Sequence, residues 1–475
     1  MGIIRHDNNM IKIIADLQLH SKYSRAVSQQ MEIPKIWEWA RIKGINLIAT
    51  GDWTHPIWMR EIKANLEEMG NGLLKLKKES IPFNLQDSGV NTDDGPFFLL
   101  ATEVSSIYSQ GGKLRRIHNL IWSPSLKNSD KIIEGLKSRG ANLHSDGRPI
   151  VGLTSMEIAE IVFSVDSHNL LIPAHAWTPW FSLYGSQSGF DSIDECFGSF
   201  AKNIYAIETG LSSDPAMNWR IKDLDNRTLL SFSDAHSGPK LGREATVFEL
   251  SKLSYENIRS VIAGPYTSFQ KGEDRDIDNK IIYTIEFHPE EGKYHYTGHR
   301  NCNIKQSPSE TKAKGTICPV CGKKLTVGVM QRVEELAGRS EEELRIVKKK
   351  LPGTVLEGIY AESFPQKPPY VMFVPFLEIL SESMNVSPAS QSVQSEYKKL
   401  TDQLGSEFSI LLEKPLDEIK AISGEKTAEA IGKVRSGDIF VDPGYDGVFG
   451  VVKIWFDKKK DEKVPIEEKE QLSFF

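Results

Sequence analysis

Seven short apolar runs, each carrying or ending in a side chain able to ligate a metal, constrain this chain more than any other feature. IKIIADLQLHS (11–21) stops at Asp16 and His20, NLIATGD (46–52) at Asp52, and FFLLATE (97–103) at Glu103. RRIHNLIW (115–122) holds His118 inside the run. NLLIPAH (169–175) ends at His175, NIYAIE (203–208) at Glu208, and LLSFSDAH (229–236) at Asp234 and His236. Runs of this kind read as buried strands, and a buried strand delivers a carboxylate at its end only where that end opens on a cleft. Helical periods separate several of them. IPKIWEWARIKG (33–44) spaces Ile33, Ile36, Trp37 and Ala40 by three and four with Gly44 as C-cap, and TSMEIAEIVFSV (154–165) starts on a Thr154 or Ser155 cap with Glu157. Alternating strands and helices with buried parallel strands predict an α/β barrel, whose strand ends gather in one mouth.

One His or Asp at a strand end is most often a cap or a satisfied polar group. Seven in phase converge on one place. His, Asp and Glu without Cys suit Zn²⁺, Mn²⁺ or Fe²⁺ in an open site, and the number suffices for the two or three ions that clamp attacking and leaving oxygens in phosphoester hydrolysis. Composition sets the frame: 475 residues, 39% hydrophobic, fit about three domains with real cores. Four cysteines in so long a chain are no disulfide scaffold, which predicts a reducing, cytoplasmic setting. MGIIRHDNNMIK lacks the apolar segment of a secretory signal, and YVMFVPFLEIL (370–380) is too short to span a bilayer, so no membrane is expected. A net charge of −6 gives no general attraction to nucleic acid, and DNA contact would need a local basic patch.

A second metal site is legible locally. In GHRNCNIKQSPSETKAKGTICPVCG (298–322), Cys318-x₂-Cys321 before Gly322 is a zinc-knuckle half, and His299-x₂-Cys302 supplies the other. Four protein ligands leave no open position, so this zinc would be structural, while Cys196 reads as a buried apolar residue. Lys305, Lys312, Lys314, Lys323 and Lys324 give the module a positive face, either along a phosphate backbone or simply solvated. The stretch 326–350 is predicted to be helical, and 351–371, with four prolines, a connector. Short helices around Gly424 and Gly432 (409–455) either hold a DNA backbone through N-terminal amides or pack. The expected divisions are a barrel over 1–290, a zinc module over 291–330, a helical connector over 331–400, a helix-hairpin-like module, small α/β or helical, over 401–457, and a charged tail over 458–475.

The series DLQLHS, ATGD, ATE, RIHN, PAH and SDAH resembles the motif set of the polymerase and histidinol phosphatase (PHP) family of metal-dependent phosphoesterases, which implies a distorted (β/α)7 barrel. More narrowly, IATGDWTHPIW, IPAHAWTPWFSLYGSQSGF, ETGLSSDPAMNWR and SDAHSGPKLGREA resemble the endonuclease Q family of DNA-repair nucleases, to about residue 455. The resemblance implies His20, Asp52, Glu103, His118, His175, Asp234 and His236 as ligands of two or three divalent ions (Zn²⁺, Mn²⁺ or Mg²⁺), with Asp234, His175 and the neighbouring Glu208 in catalysis. It implies nicking of DNA 5′ of deaminated bases (uracil, hypoxanthine, xanthine) or at abasic sites. The family pattern opens with His-x-His, whereas Gln18 precedes His20 here; an amide is a poor ligand, so one ion is held more weakly or the site holds fewer. In AWTPWFSLYGSQSGF (176–190), Trp177, Trp180, Phe181 and Tyr184 either stack on an extruded base or pack a core. The terminal QLSFF (Gln471, Leu472, Phe474, Phe475) is similar to the peptide by which bacterial repair proteins engage the sliding clamp; the alternative is docking on its own surface. Two other functions stay open: a small-molecule phosphatase acting on a substrate such as histidinol phosphate, and a non-catalytic DNA or clamp adaptor, for which Gln18 is the only hint.

Overall fold

The structure, a computed structural model, describes residues 10–86, 88–271 and 279–456, without the side chains of 266–271. Seven strands ring the site: β1 Ile11–Asp16, β2 Leu47–Ala49, β3 Phe97–Gln110, β4 Lys113–Ser123, β5 Leu170–Pro173, β6 Ala206–Glu208 and β7 Thr228–Leu230. β1, β2 and β3 run parallel, as do β6 and β7. Past the strand ends the Ala176 N–H donates to the Glu208 carbonyl at 3.0 Å, and the His20 N–H donates to the Ala235 carbonyl at 3.0 Å, closing the ring between β7 and β1.

The seven-membered α/β ring is the expected distorted barrel, and β4 is where it is distorted. β4 runs antiparallel to both β3 and β5, because Gly111 and Gly112, at φ 61° and 72°, turn the chain straight back on itself. His118 therefore arrives mid-strand, opposite Ser105, two residues beyond Glu103 on β3. The predicted helices are present. Ile33–Lys43 buries Ile33, Ile36, Trp37 and Ala40 and ends at Gly44, whose N–H groups with the Ala40 and Arg41 carbonyls at φ 85°. Ser155–Val165 starts in a reciprocal capping box between Thr154 and Glu157.

Outside the ring, Ala245–Leu250 pairs with β1 and with Lys280–Glu286, and the sheet continues through Tyr370–Met372, Glu357–Ala361 and Ile346–Lys350. The region 331–400 thus supplies three strands as well as helices, and the helix predicted over 326–350 is confined to Val329–Leu336. Beyond it the Arg339 guanidinium is drawn to Asp225 (2.7 Å, two contacts) and Arg345 takes φ 51°, so the charged IVKKK becomes an edge strand whose lysines discourage further pairing. Helices between Phe376 and Ser436 pack on the first barrel helix. A Cβ on Gly44 would lie 2.3 Å from Ser406 Oγ, and Lys43 Nζ meets Glu407 at 2.8 Å in a buried ion pair. The hairpin Phe440–Asp442/Val451–Lys453 returns to the zinc module, where Lys305 meets Asp442. Among the described residues no helix is long and apolar enough to cross a membrane.

Candidate metal centre at the barrel mouth

His20, past β1, and Asp234 and His236, past β7, bring one ligating atom each within 4.8 Å of one another; so do Glu103, His118 and His175. His20 Nδ1 lies 2.9 Å from Asp52 Oδ1, which fixes the proton on Nδ1 and turns Nε2 towards Asp234 Oδ1 at 3.2 Å. The His236 Nδ1 lies 2.7 Å from the Asp234 carbonyl, so its ligating lone pair is on Nε2. In the second triplet His118 Nδ1 is 2.6 Å from Glu103 Oε1 and 3.0 Å from His175 Nε2. Glu103 stands between the triplets. Its Oε1 faces His118, and its Oε2 is 3.6 Å from His20 Nε2 while accepting from Gln18 Nε2 at 2.8 Å. A carboxylate with one oxygen on each side is placed to bridge two cations.

The donor chemistry fits metal ions. Burial pushes His118 and His236 down to about 4, so both are neutral ligands at neutral pH. Burial alone would raise Glu103 and Asp234; His118, His175 and His20 outweigh it for Glu103, as His236 and His20 do for Asp234, and both stay ionised. Burial would lower His20, yet Asp52, Asp234 and Glu103 together hold it well above its ordinary value, the mark of a ring ringed by anions. Buried His20 Nε2 and Asp234 Oδ1 face each other without a hydrogen bond, and a divalent ion would satisfy both.

Two of the sequence-predicted residues stand behind the triplets. Asp52 spends Oδ1 on His20 and Oδ2 on the Ser21 N–H (2.6 Å), Ser21 Oγ (2.7 Å) and Ser24 Oγ (2.8 Å), so it orients a ligand. Glu208 accepts from the N–H groups of His175 and Gly210 and is pushed up to about 8 by burial. Asp52, His175 and Asp234 have φ of 40°, 29° and 46°, left-handed positions that cost about 1–3 kcal/mol each in a non-glycine residue. The surroundings enforce them. Trp58 Nε1 donates to the Gly51 carbonyl at 2.9 Å, Glu208 grips the His175 N–H, and Arg243 donates to the Ser233 and Asp234 carbonyls at 2.8 and 3.4 Å.

Sequence reasoning missed two side chains here, Arg243 and Arg148, and read Gln18 only as a poor ligand. Gln18 serves as a donor to Glu103; Arg243 props Asp234; and Arg148 Nη1 reaches Glu103 Oε1 at 3.4 Å from a loop outside every apolar run. The Asp-Gly at 146–147 was the only local signal for that loop. Within the aromatic loop, Trp177 and Tyr184 are fully buried, bonded to Asn218 (2.7 Å) and Asp223 (2.9 Å), so both pack a core and neither has a face left for a base. Half-buried Phe181, at φ 63°, lies 4.8 Å from the His118 ring, and half-buried Trp180 meets Tyr294 edge-on at 5.5 Å. Gln471, Leu472, Phe474 and Phe475 lie outside the described residues.

His299, Cys302, Cys318 and Cys321 form the third cluster, again within 4.8 Å. The knuckle closes through the Cys318 N–H to the Lys323 carbonyl (2.8 Å) and the Gly322 N–H to the Cys318 carbonyl (2.9 Å), with Gly322 at φ 74°. Burial would raise the Cys318 thiol, but N–H groups of Cys321 and Val320 outweigh it and bring it to about 6, a thiolate at neutral pH. Lys312, Lys314, Lys323 and Lys324 are exposed on this module.

Four histidines and two carboxylates make this an α/β-barrel protein whose mouth holds two adjoining groups of side chains, each able to hold a metal ion. Residues 375–438 match the family model described as the MJ0043 C-terminal domain. The chain is 32% identical over 290 residues to protein MJ0043 of Methanocaldococcus jannaschii, covering 61% of this chain but only 32% of that protein. It is 28% identical over 453 residues to YqxK of Bacillus subtilis, covering 94% of this chain and all of that one. Among solved structures, the lesion-specific endonuclease PfuEndoQ of Pyrococcus furiosus is similar at TM-score 0.73 and 30% identity, covering 98% of this chain and 100% of that one. An endonuclease Q complex with a 27-mer duplex carrying an abasic lesion at the active site is similar at TM-score 0.73 and 31% identity, covering 95% of this chain and 99% of that one. The chain belongs to the endonuclease Q family.

Proposed function

We propose that this chain is a metal-dependent DNA-repair endonuclease that nicks the backbone 5′ of a deaminated base (uracil, hypoxanthine or xanthine) or at an abasic site. The observation that carries the reading is the pair of adjoining triplets, with Glu103 of one facing His20 of the other, in a chain matching endonuclease Q structures over almost its whole length. His20, Asp234 and His236 would hold one divalent ion, and Glu103, His118 and His175 the other. Ions bound there supply an activated water and stabilise the leaving oxygen. Asp52 keeps the His20 proton on Nδ1, and Glu208 acts through the His175 backbone. Half-buried Phe181 beside His118, and half-buried Trp180 edge-on to Tyr294, are the rings suited to receive a base that has left the stack. A zinc ion at His299, Cys302, Cys318 and Cys321 is structural, the setting is the cytoplasm, and the QLSFF tail engages a bacterial sliding clamp.

The test is the purified protein with Mn²⁺ or Mg²⁺ on a labelled duplex containing one deoxyuridine, deoxyinosine or abasic site, beside an undamaged duplex and a phosphomonoester. Cleavage 5′ of the lesion alone is expected; hydrolysis of the monoester alone would replace the reading with a small-molecule phosphatase. Deleting Gln471 to Phe475 should leave nicking of a short duplex unchanged and abolish binding to the clamp.

A further inference from the structure

Arg148 touches the centre only through Glu103, yet the chain goes to some length to place it. Its loop is fixed on both sides. The Gly147 N–H donates to the Tyr23 carbonyl at 3.0 Å, the Arg148 N–H to Asp146 Oδ1 at 3.0 Å, and the Ser105 N–H to the Pro149 carbonyl at 3.0 Å. Gly147 lies so close that a Cβ there would sit 2.3 Å from Asp52 Oδ2 and 2.4 Å from Ser24 Oγ. That contact admits only glycine and lays the next residue against the mouth.

The guanidinium is nonetheless loosely held. Among the described residues its side chain makes one hydrogen bond, to Glu103 Oε1 at a long 3.4 Å, and it keeps 20% exposure beside a Glu103 that is 1% exposed. A guanidinium has five N–H donors, so most of its hydrogen-bonding capacity is not spent on Glu103. The ion pair with Glu103 uses only part of the group, and that carboxylate also has Gln18, His20 and His118 around it. With two divalent ions bound, four neutral imidazoles and two carboxylates would leave the mouth with an excess of positive charge. A further cation is repelled there unless an anion joins it. The planar fork matches phosphoryl oxygens.

We infer that Arg148 is the anion-binding side chain of this centre, donating to a non-bridging oxygen of the phosphoryl group held at the metals. The inference rests on the proposed phosphodiester chemistry, and its test separates the two. Mn²⁺-loaded wild type, Arg148→Lys and Arg148→Met are compared for metal content, for binding of inorganic phosphate by calorimetry, and for nicking of a deoxyinosine duplex. Arg148→Met should weaken phosphate binding about 10-fold or more at unchanged metal content and lower kcat about 100-fold. Arg148→Lys, keeping the charge without the fork, should recover part of both. Unchanged phosphate affinity in Arg148→Met overturns the inference, and so does a loss of bound metal that tracks the loss of phosphate, which would make Arg148 a support for Glu103. If phosphate binding depends on Arg148 but the wild type nicks no lesion, the anion site stands and the endonuclease reading falls.

Discussion

The barrel mouth and the Cys/His module both gather side chains able to ligate a metal within 4.8 Å, and they do so in opposite ways. The module draws His299, Cys302, Cys318 and Cys321 from one short segment, closes the knuckle with local main-chain hydrogen bonds, and leaves Cys321 exposed. The mouth draws six residues from five strands or their ends, as far apart in the chain as His20 and His236; His20, Glu103 and His118 are buried, and His175, Asp234 and His236 are half-buried. Two of the six, His175 and Asp234, are held at positive φ. A closed thiolate set adds its metal affinity to folding; an open set of imidazoles and carboxylates keeps positions for a water and a substrate. The contrast shows where each site keeps its rigidity. The module's would lie in the bonds of a bound metal, and the mouth's lies in supports behind the triplets: Asp52 behind His20, Glu208 behind His175, Arg243 behind Asp234.

The largest expected break in that contrast is at the mouth. Asp234→Asn or His175→Ala should lower nicking at least about 1,000-fold and reduce barrel metal, while the zinc in the module and the melting temperature stay near wild type. Metal analysis and a gel assay read this together, and full activity in both variants would remove the mouth as the reacting centre. Cys318→Ser should do the converse, emptying the module of zinc and lowering the melting temperature by roughly 5–10 °C with barrel metal unchanged. If zinc content and melting both held, the four-ligand site would be wrong. Asp52→Asn tests the supports: His20 would exchange a charged acceptor for a weaker amide one, and metal affinity should fall about 10–100-fold and be rescued by excess Mn²⁺. A loss that no amount of metal restores would instead place Asp52 in direct contact with an ion. The smallest effect is expected at Gln18, where Gln18→His exchanges a donor to Glu103 for a ring nitrogen. Metal content or tolerance to chelator should rise, and unchanged values would mean that the Gln18–Glu103 hydrogen bond matters only for holding the carboxylate.

How much was legible followed from how local each feature is. The helix over 33–43 with its Gly44 cap, and the Thr154–Glu157 capping box, need only neighbours within one turn, and both formed as read. The helix expected over 326–350 stopped at Leu336 because Arg339 finds Asp225, a partner more than a hundred residues away that no helical period encodes. The aromatic loop shows the same limit. Its four rings look alike in sequence, yet Asn218 and Asp223 draw Trp177 and Tyr184 inside while Phe181 stays half-buried beside His118 and Trp180 half-buried against Tyr294.

By itself the sequence determined that apolar strands would end in metal-capable side chains, that these would meet at one end of a barrel, and that a Cys/His module would follow. These rest on period, spacing and burial, which act along the chain. Only the tertiary structure decided which carboxylates face the centre and which stand behind it. Asp52 and Asp234 both end an apolar run, but Ser21 and Ser24 fold back to saturate the first, whereas Asp234 Oδ1 is left facing His20 Nε2 without a hydrogen bond. A side chain's role there is set by which hydrogen-bonding groups reach it across the barrel, and that is a property of the closed ring rather than of any strand in it.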